Sequence, residues 1–585
     1  MSLFDSFNRL SLALYRSLKG PAGSYCRLET ADDEQTLVGD DGSLIGAFDI
    51  RGLESQDFLE REAHISACMT EKVGPLLERE GHYLSMVFEY DPFGAEREIK
   101  ASFGPSYKAC SVYGLNFNHI LKDWEKTLLS YCGSEKLTIT LQTSPLCLSP
   151  SERTYGRDRE RADFFHQGRV QDELSALKPL REAHSGAMSA LGSALKLSGF
   201  NFRLLKAWEV LKRARLGLDP STVPYNYRPL IYPMERAFKV PEEGDNIATF
   251  IGYPTIESQL FPHEAKIVDR HLILIGSRLH APFFLSLPPR NSAPFSHLFK
   301  LLALREDKIP LRYSLNLGPL GLKGTLIKSS MARILSFASS ENKTLVSAIN
   351  ALRELSESGE TICALSMAFD TFIDLNEEID LNQAEKILRK RLNLAAREVG
   401  GWGRGEVRLT WGDPLLGVCA TIAALTLHHS PAPKAAAPLR EVWRFTPLRP
   451  ASPFPQGSLA LRSEEGKIMP FAPNSSRQSA WIDIGLAPMG AGKSVLLNSI
   501  NLAFLLGAGT NELPYLSIID VGPSSSGLIK LIRASLSEDK RHLAQYHRLT
   551  FDSSQSLNPF DTPLGLRAPL SRQRTFLVNL LCLLA

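Results

Sequence analysis

Between the apolar run Trp481–Leu486 and the helix-like run Val495–Leu506 the sequence reads Ala-Pro-Met-Gly-Ala-Gly-Lys-Ser over residues 487–494. A strand that turns through two glycines straight into a helix aims successive backbone N–H groups into one concavity, and the helix N-terminus adds positive potential there. Gly490 and Gly492 lack the Cβ atoms that would hinder an anion approaching the backbone. Lys493 is placed to reach the β- and γ-phosphates of a nucleoside triphosphate, and Ser494 offers a hydroxyl to Mg²⁺. Residues Ala487, Pro488, Met489, Gly490, Ala491, Gly492, Lys493, Ser494 and Val495 are therefore a candidate binding loop for ATP and Mg²⁺, with Lys493 and Ser494 as the chemically active pair. One position departs from the usual eight-residue pattern, which opens with Gly: Ala487 stands there, so the entry turn differs while the phosphate-facing positions keep their residue types.

Beyond a break at Gly507–Pro514, the run Tyr515–Asp520 reads as a second buried strand ending in a carboxylate. Strand, loop, helix and strand predict one β-α-β unit of a parallel sheet, the start of an α/β domain of RecA-like type. Asp520 is then a candidate to support Mg²⁺. It is a lesser one, because an ATPase that activates water ordinarily follows this Asp with a Glu, and here Val521 follows. The stretch Thr575–Ala585 is apolar without a capping signal, as expected of a helix interrupted before its end, with the hydrolytic acids and an arginine finger further on.

A chain of 585 residues exceeds one hydrophobic core and predicts about three to five folding units. The longest apolar stretch, Leu415–Leu427, is broken by Gly417 and Thr421 and suits a buried helix better than a membrane span. With 66 basic against 63 acidic residues, the chain has no global attraction for polyanions, so its charge gives no support to a DNA helicase. The eight cysteines, at 26, 68, 110, 132, 147, 363, 419 and 582, contain no C-x-x-C pair and no zinc spacing, which fits a reducing, cytoplasmic compartment. A serine hydrolase is disfavoured by the absence of a G-x-S-x-G elbow.

Residues 1–20 place Leu3, Phe4, Phe7, Leu10, Leu14 and Leu18 at helical spacing. Two readings fit: a helix lying on a membrane surface, or one packed on its own domain or a neighbouring subunit. Residues 21–427 read as an α+β region. Thr36–Val38 and Leu44–Ile50 predict a hairpin, Glu54–Arg79 a helix, and Tyr83–Tyr90 a strand with Leu84, Met86 and Phe88 on one face. Helices are expected near Ala162–Leu191 and Phe202–Leu216; the second carries Arg203, Lys206, Lys212, Arg213 and Arg215, either a solvated face or one for phosphate or acidic lipid. The charge run Glu152–Arg161 nearly cancels and implies no ligand.

Pro220–Pro310 is rich in proline and predicts loops and short strands of unknown order. Cys363, Leu365, Met367 and Phe369 then alternate as one strand, an Asn382–Glu385 capping box opens a helix to about Val399, and Val407, Leu409 and Trp411 alternate in a second strand after a glycine-rich turn. Strand, helix, strand over 361–411 suggests a ferredoxin-like subdomain. His428–Pro438, rich in Pro and Ala, reads as a semi-rigid linker; the adjacent His428 and His429 point apart and are poor metal ligands. Residues 439–585 would be the nucleotide domain, entered by a hairpin of Ser458–Arg462 and Lys467–Phe471.

These residues resemble a known family, the large cytoplasmic ATPases of type IV secretion and conjugation systems, and within it the IcmB (DotO)/TraU group of Dot/Icm and I-type conjugation machines. The resemblance rests on Arg-Pro-Ala-Ser-Pro at 449–453, the hairpin around Gly466-Lys467, Trp-Ile-Asp-Ile from Trp481, the loop at 487–494, and Asn-Pro-Phe-Asp from Asn558. Asp-Gly-Ser-Leu at 41–44, followed by Arg51-Gly52-Leu53, resembles the opening of the family's N-terminal domain. It implies a RecA-like motor on an α+β domain, assembled as a hexameric ring, peripheral at the cytoplasmic face of the inner membrane. Its partners would be secretion-channel components, a second secretion ATPase, and translocated protein or conjugated DNA. Lys493 and Ser494 would serve ATP and Mg²⁺, with Asp520 a lesser candidate. A non-hydrolysing, nucleotide-stabilised scaffold and a helicase-like ATPase acting on DNA are the alternatives.

Overall fold

The computed structural model describes residues 21–54, 58–153, 176–224, 226–231, 254–289, 293–320, 340–410, 413–425, 431–478, 480–507, 509, 512–548 and 558–584. They fall into two compact units. The first holds the described residues of Met1–Ser102, Glu125–Gln456 and Ala460–Phe471, and the second those of Phe103–Trp124, Gly457–Leu459 and Ala472–Ala585. The expected N-terminal helix, the segment 154–175, Trp411 and the pair His428–His429 lie outside the described residues.

The first unit is organised by a sheet whose path runs β1-β2-β3-β5-β4-β10-β11-β9-β8-β7, and the two halves of that path trace the same connection twice. The first pass runs β1 (Leu28–Ala31), β2 (Leu37–Gly39), β3 (Leu44–Leu53), α1 (Phe58–Leu77), β4 (His82–Asp91), α2 (Glu96–Tyr113), α3 (Asn118–Tyr131), β5 (Ser134–Thr143), α4 (Lys178–Leu197) and β6 (Phe200–Leu204). Here β5 lies between β3 and β4, antiparallel to both, while β6 takes the other edge of β3. Two β-α-β crossovers thus interleave, the split arrangement of a ferredoxin-like module. After α5 (Ala207–Leu218) and α6 (Ile256–Leu260) the path recurs as β7 (Lys266–Asp269), β8 (Leu272–Ile275), β9 (Arg278–Leu287), α7 (Phe295–Ala303), β10 (Leu311–Pro319), α8 (Ser340–Glu357), β11 (Ile362–Asp374), α9 (Leu381–Gly401) and β12 (Glu406–Leu409). Now β11 lies between β9 and β10, and β12 takes the other edge of β9. The modules join where the equivalent strands β4 and β10 run antiparallel, from Leu311↔Tyr90 to Leu317↔Leu84, which gives the sheet an internal pseudo-two-fold axis.

Period-two alternation explains the first core. Leu84, Met86 and Phe88 of β4, Tyr313, Leu315 and Leu317 of β10, and Leu365, Met367 and Phe369 of β11 are all buried on one face, in one cluster with side chains of α1, α4, α7 and α9. Each such side chain contributes about 1.5–3 kcal/mol on burial. Phe283, Phe369, Tyr313 and Phe295 stack in series at 5.2, 5.0 and 5.0 Å between centroids, and the Tyr313 hydroxyl donates to Phe445 O at 3.1 Å.

The opposite face is polar at the seam between modules. Arg312 pairs in register with Glu89 on one side and Asp370 on the other. Its Nε donates to Glu89 Oε2 at 2.7 Å and its Nη1 to Asp370 Oδ2 at 3.0 Å. His280 places Nδ1 2.8 Å from Asp370 Oδ2 and Nε2 2.9 Å from Leu218 O, so both ring nitrogens face acceptors. The side chains of Arg312, Asp370 and His280 are fully buried. Burial drives the Glu89 carboxyl up, but Lys136 and Arg312 outweigh it and hold it well below the usual carboxylate range.

Several expectations are met and others corrected. The β2–β3 hairpin pairs as predicted, and β11, α9 and β12 supply the expected strand-helix-strand, with β9 between the two strands. The helix expected from Phe202 starts at Ala207, because Phe200–Leu204 is drawn into the sheet beside β3. Most of its basic residues are claimed within the fold: Arg203 pairs with Glu209 at 2.9 Å, Lys206 with Glu34 at 2.8 Å and Arg213 with Asp49 at 2.6 Å, while Arg215 is buried near Asp219. The capping box of α9 is Asp380 with Gln383, two residues before the predicted pair, since Asp380 is the last residue with extended backbone.

The predicted linker is also corrected. Ala435–Pro438 forms β13, antiparallel to Ile362–Leu365 of β11, and the first unit continues past it to Phe471. A ladder needs only main-chain partners, so small alanines that bury little surface can still add a strand. The remaining elements of this region are α10 (Pro414–Cys419), α11 (Leu439–Val442), β14 (Leu459–Arg462) and β15 (Ile468–Phe471), the last two forming the predicted hairpin.

Candidate nucleotide site

The phosphate-type loop belongs to the second unit, whose helices include α12 (Lys493–Gly507), α13 (Ser526–Ser535) and α14 (Ser571–Leu584). Leu502, Ala503, Leu505 and Leu506 bury the C-terminal half of α12, and Ser458 Oγ donates to Ala503 O at 2.6 Å. The half next to the loop is open, with Val495 70% exposed.

Gly490 and Gly492 take φ of 82° and 87°, the left-handed region that side-chain-bearing residues avoid, and an added Cβ at either would meet nothing within 4 Å. Ala491 N donates to Pro488 O at 3.3 Å, closing the turn. Leu496 N donates to Gly492 O at 3.0 Å, so the amides of Lys493, Ser494 and Val495 form the first helical turn and have no acceptor within the helix. Among the described residues neither the Lys493 ammonium nor the Ser494 hydroxyl has a hydrogen-bond partner or ion pair, and both side chains are exposed. The loop therefore offers main-chain donors, a cation and a hydroxyl, the donor set that a triphosphate with Mg²⁺ requires.

The flanking strands do not form as predicted. Neither Trp481–Leu486 nor Tyr515–Asp520 is paired as a strand, and Ile484 is 82%, Leu486 93% and Ile519 94% exposed. A strand needs neighbours for its N–H and C=O groups, and neither run finds them among the described residues. The helix of the expected β-α-β unit is present, while its parallel sheet is not found among the described residues.

Asp520 is held by the loop that follows it. Its Oδ2 accepts from Ser524 Oγ at 2.6 Å and Ser525 N at 2.9 Å, and the Ser524 bond holds its carboxyl below the usual range. Asn498 Nδ2, on α12, donates to Ser524 O at 3.1 Å and so ties this loop to the helix. Nothing in the sequence marks Asn498, since a polar residue in an apolar helix carries no information about a partner 26 positions away. The Asn558–Asp561 segment is a turn in which Asn558 Oδ1 accepts from Phe560 N at 3.1 Å.

No protein-family model matches the sequence, and no curated protein matches it.

Proposed function

We propose that this chain is an ATP-binding motor subunit of a type IV secretion or conjugation machine, and that residues 487–495 grip the triphosphate of Mg·ATP. The observation that carries the nucleotide part is the pair of left-handed glycines leading into an exposed helical turn whose amides, with Lys493 and Ser494, remain available to a ligand. The secretion part rests on the motif resemblance alone.

In this reading the amides of the first turn of α12 bind phosphate oxygens and Lys493 spans the β- and γ-phosphates. Ser494 Oγ would hold Mg²⁺, which offsets charge on the phosphate oxygens. Binding and hydrolysis would move subunits of a homo-oligomer, a hexamer by resemblance, and energise channel assembly or transport of protein or conjugated DNA. The channel components and a second secretion ATPase are the proposed partners, at the cytoplasmic face of the inner membrane. No helix among the described residues is long and apolar enough to cross a membrane.

The scaffold reading, binding without turnover, draws on one observation: the Asp520 carboxylate is engaged with Ser524 and Ser525, and Val521 follows it. Titration with a fluorescent ATP analogue tests the main proposal. Lys493→Ala is expected to lose binding while its circular dichroism stays unchanged; retained affinity overturns the site. Turnover by the wild type separates motor from scaffold.

A further inference from the structure

On the polar face of the first unit's sheet lies a cavity of about 640 Å³, within the range of small-molecule sites. Its apolar wall includes Trp208, Ile422 and Phe454; its polar wall includes Lys136, Glu98 and Lys467. The wall carboxylates are closed off by arginines: Asp49 by Arg213 at 2.6 Å, Glu89 by Arg312 at 2.7 Å and Glu135 by Arg449 at 2.8 Å. The lysines are second claimants, Lys136 at 3.4 Å from Glu89 and Lys467 at 3.9 Å from Glu135. Lys467 Nζ instead donates to the main-chain oxygen of Arg51 at 2.5 Å. Glu209, a fourth wall carboxylate, is held by Arg203 at 2.9 Å, and Glu98 accepts from Ser134 Oγ at 2.6 Å and forms no ion pair among the described residues.

We propose that this cavity binds a small organic anion with an apolar body, its carboxylate or phosphate taken by Lys136 and Lys467 and its body lying against Trp208 and Phe454. Two observations converge. Lys136 and Lys467 share carboxylates that a nearer arginine already neutralises, so each ammonium has only part of a counter-ion. Burial pushes the Lys467 ammonium below its usual range and the Glu98 carboxyl above its own, and an arriving anion would offset the cost of keeping Lys467 charged. The site is separate from the loop at 487–495 and independent of the function proposed for it.

Calorimetric titration of the whole chain with 1-naphthoate and with 1-naphthyl phosphate tests this, the two arms distinguishing carboxylate from phosphate. Saturable binding of at least one is expected, equal in wild type and Lys493→Ala, and weakened about tenfold by losing one charge-assisted contact in Lys467→Gln. Because Lys467 also holds Arg51 O, the more exposed Lys136→Gln is the second variant, with the same expected loss. Absence of saturable binding by either probe, unchanged affinity in both lysine variants, or loss of binding in Lys493→Ala overturns the proposal.

Discussion

Asp370→Ala should be among the most damaging single substitutions in the first unit. The carboxylate accepts from Arg312 at 3.0 Å, lies 2.8 Å from His280 Nδ1, and accepts from Ala281 N at 3.2 Å. Removing it leaves a fully buried guanidinium with half of its compensation, an imidazole N–H without an acceptor, and an orphaned amide. Breaking a buried ion pair costs about 3–5 kcal/mol, and an unsatisfied buried amide about 1–3 kcal/mol. These terms share one site and do not add fully, so a loss of about 4–5 kcal/mol is expected, against a typical total of about 5–15 kcal/mol. The assay is urea unfolding followed by tryptophan fluorescence, since Trp402 and Trp443 are buried in this unit. The midpoint should fall at unchanged slope. Glu385→Ala, at the exposed i,i+4 pair with Arg389, sets the ordinary scale at about 0.5 kcal/mol or less. Adding Arg312→Met to Asp370→Ala should recover part of the loss, because the stranded charge is then gone. An Asp370→Ala cost below about 1 kcal/mol, or strict additivity with Arg312→Met, would show that the buried Arg312–Asp370 pair does not carry this stability.

Burial pushes the His184 imidazole down to about 4. The unfolded chain, at about 6.5, then binds the extra proton first, so stability from this residue is full above pH 6.5 and lost as pH falls toward 4. His184→Leu should flatten the pH dependence of the unfolding midpoint in that window; an unchanged slope contradicts it. Two backbone substitutions should move stability in opposite directions. Ala424→Gly relieves a left-handed residue and should stabilise by about 1 kcal/mol, whereas Gly52→Ala, with φ of 131° and a new Cβ 2.3 Å from Arg449 O, should cost at least about 2 kcal/mol. Thermal melts of both variants decide the sign.

Much of the first unit was legible because large apolar side chains directed to one face of a strand write a period of two: Leu84, Met86 and Phe88, and Cys363, Leu365, Met367 and Phe369, sit as their spacing requires. The duplication was not legible. Nothing in the spacing of Leu44–Leu53 says that it faces the same neighbours as Arg278–Leu287, because strand order is fixed by long-range pairing and not by local pattern. Prolines in 220–310 masked β9, which carries Pro282 at a position where the strand still pairs with Asp370 of β11. Phe202–Leu204 reads as the start of a helix because helix and strand signals overlap in a short run, and the pairing of Phe200–Leu204 with β3 decides the outcome. At the loop, the glycine positions and the start of α12 followed from residue type, since left-handed backbone and helix onset are local properties. The runs Trp481–Leu486 and Tyr515–Asp520 depend on partners elsewhere, and their composition alone could not supply them.

Hydrogen exchange with and without Mg·ATP, read peptide by peptide, addresses the nucleotide claim at the groups said to make it. Slowed exchange is expected, confined to the amides of about 489–496, with no such change in Lys493→Ala. Uniform exchange on adding nucleotide, or protection only in peptides remote from this loop, would contradict it.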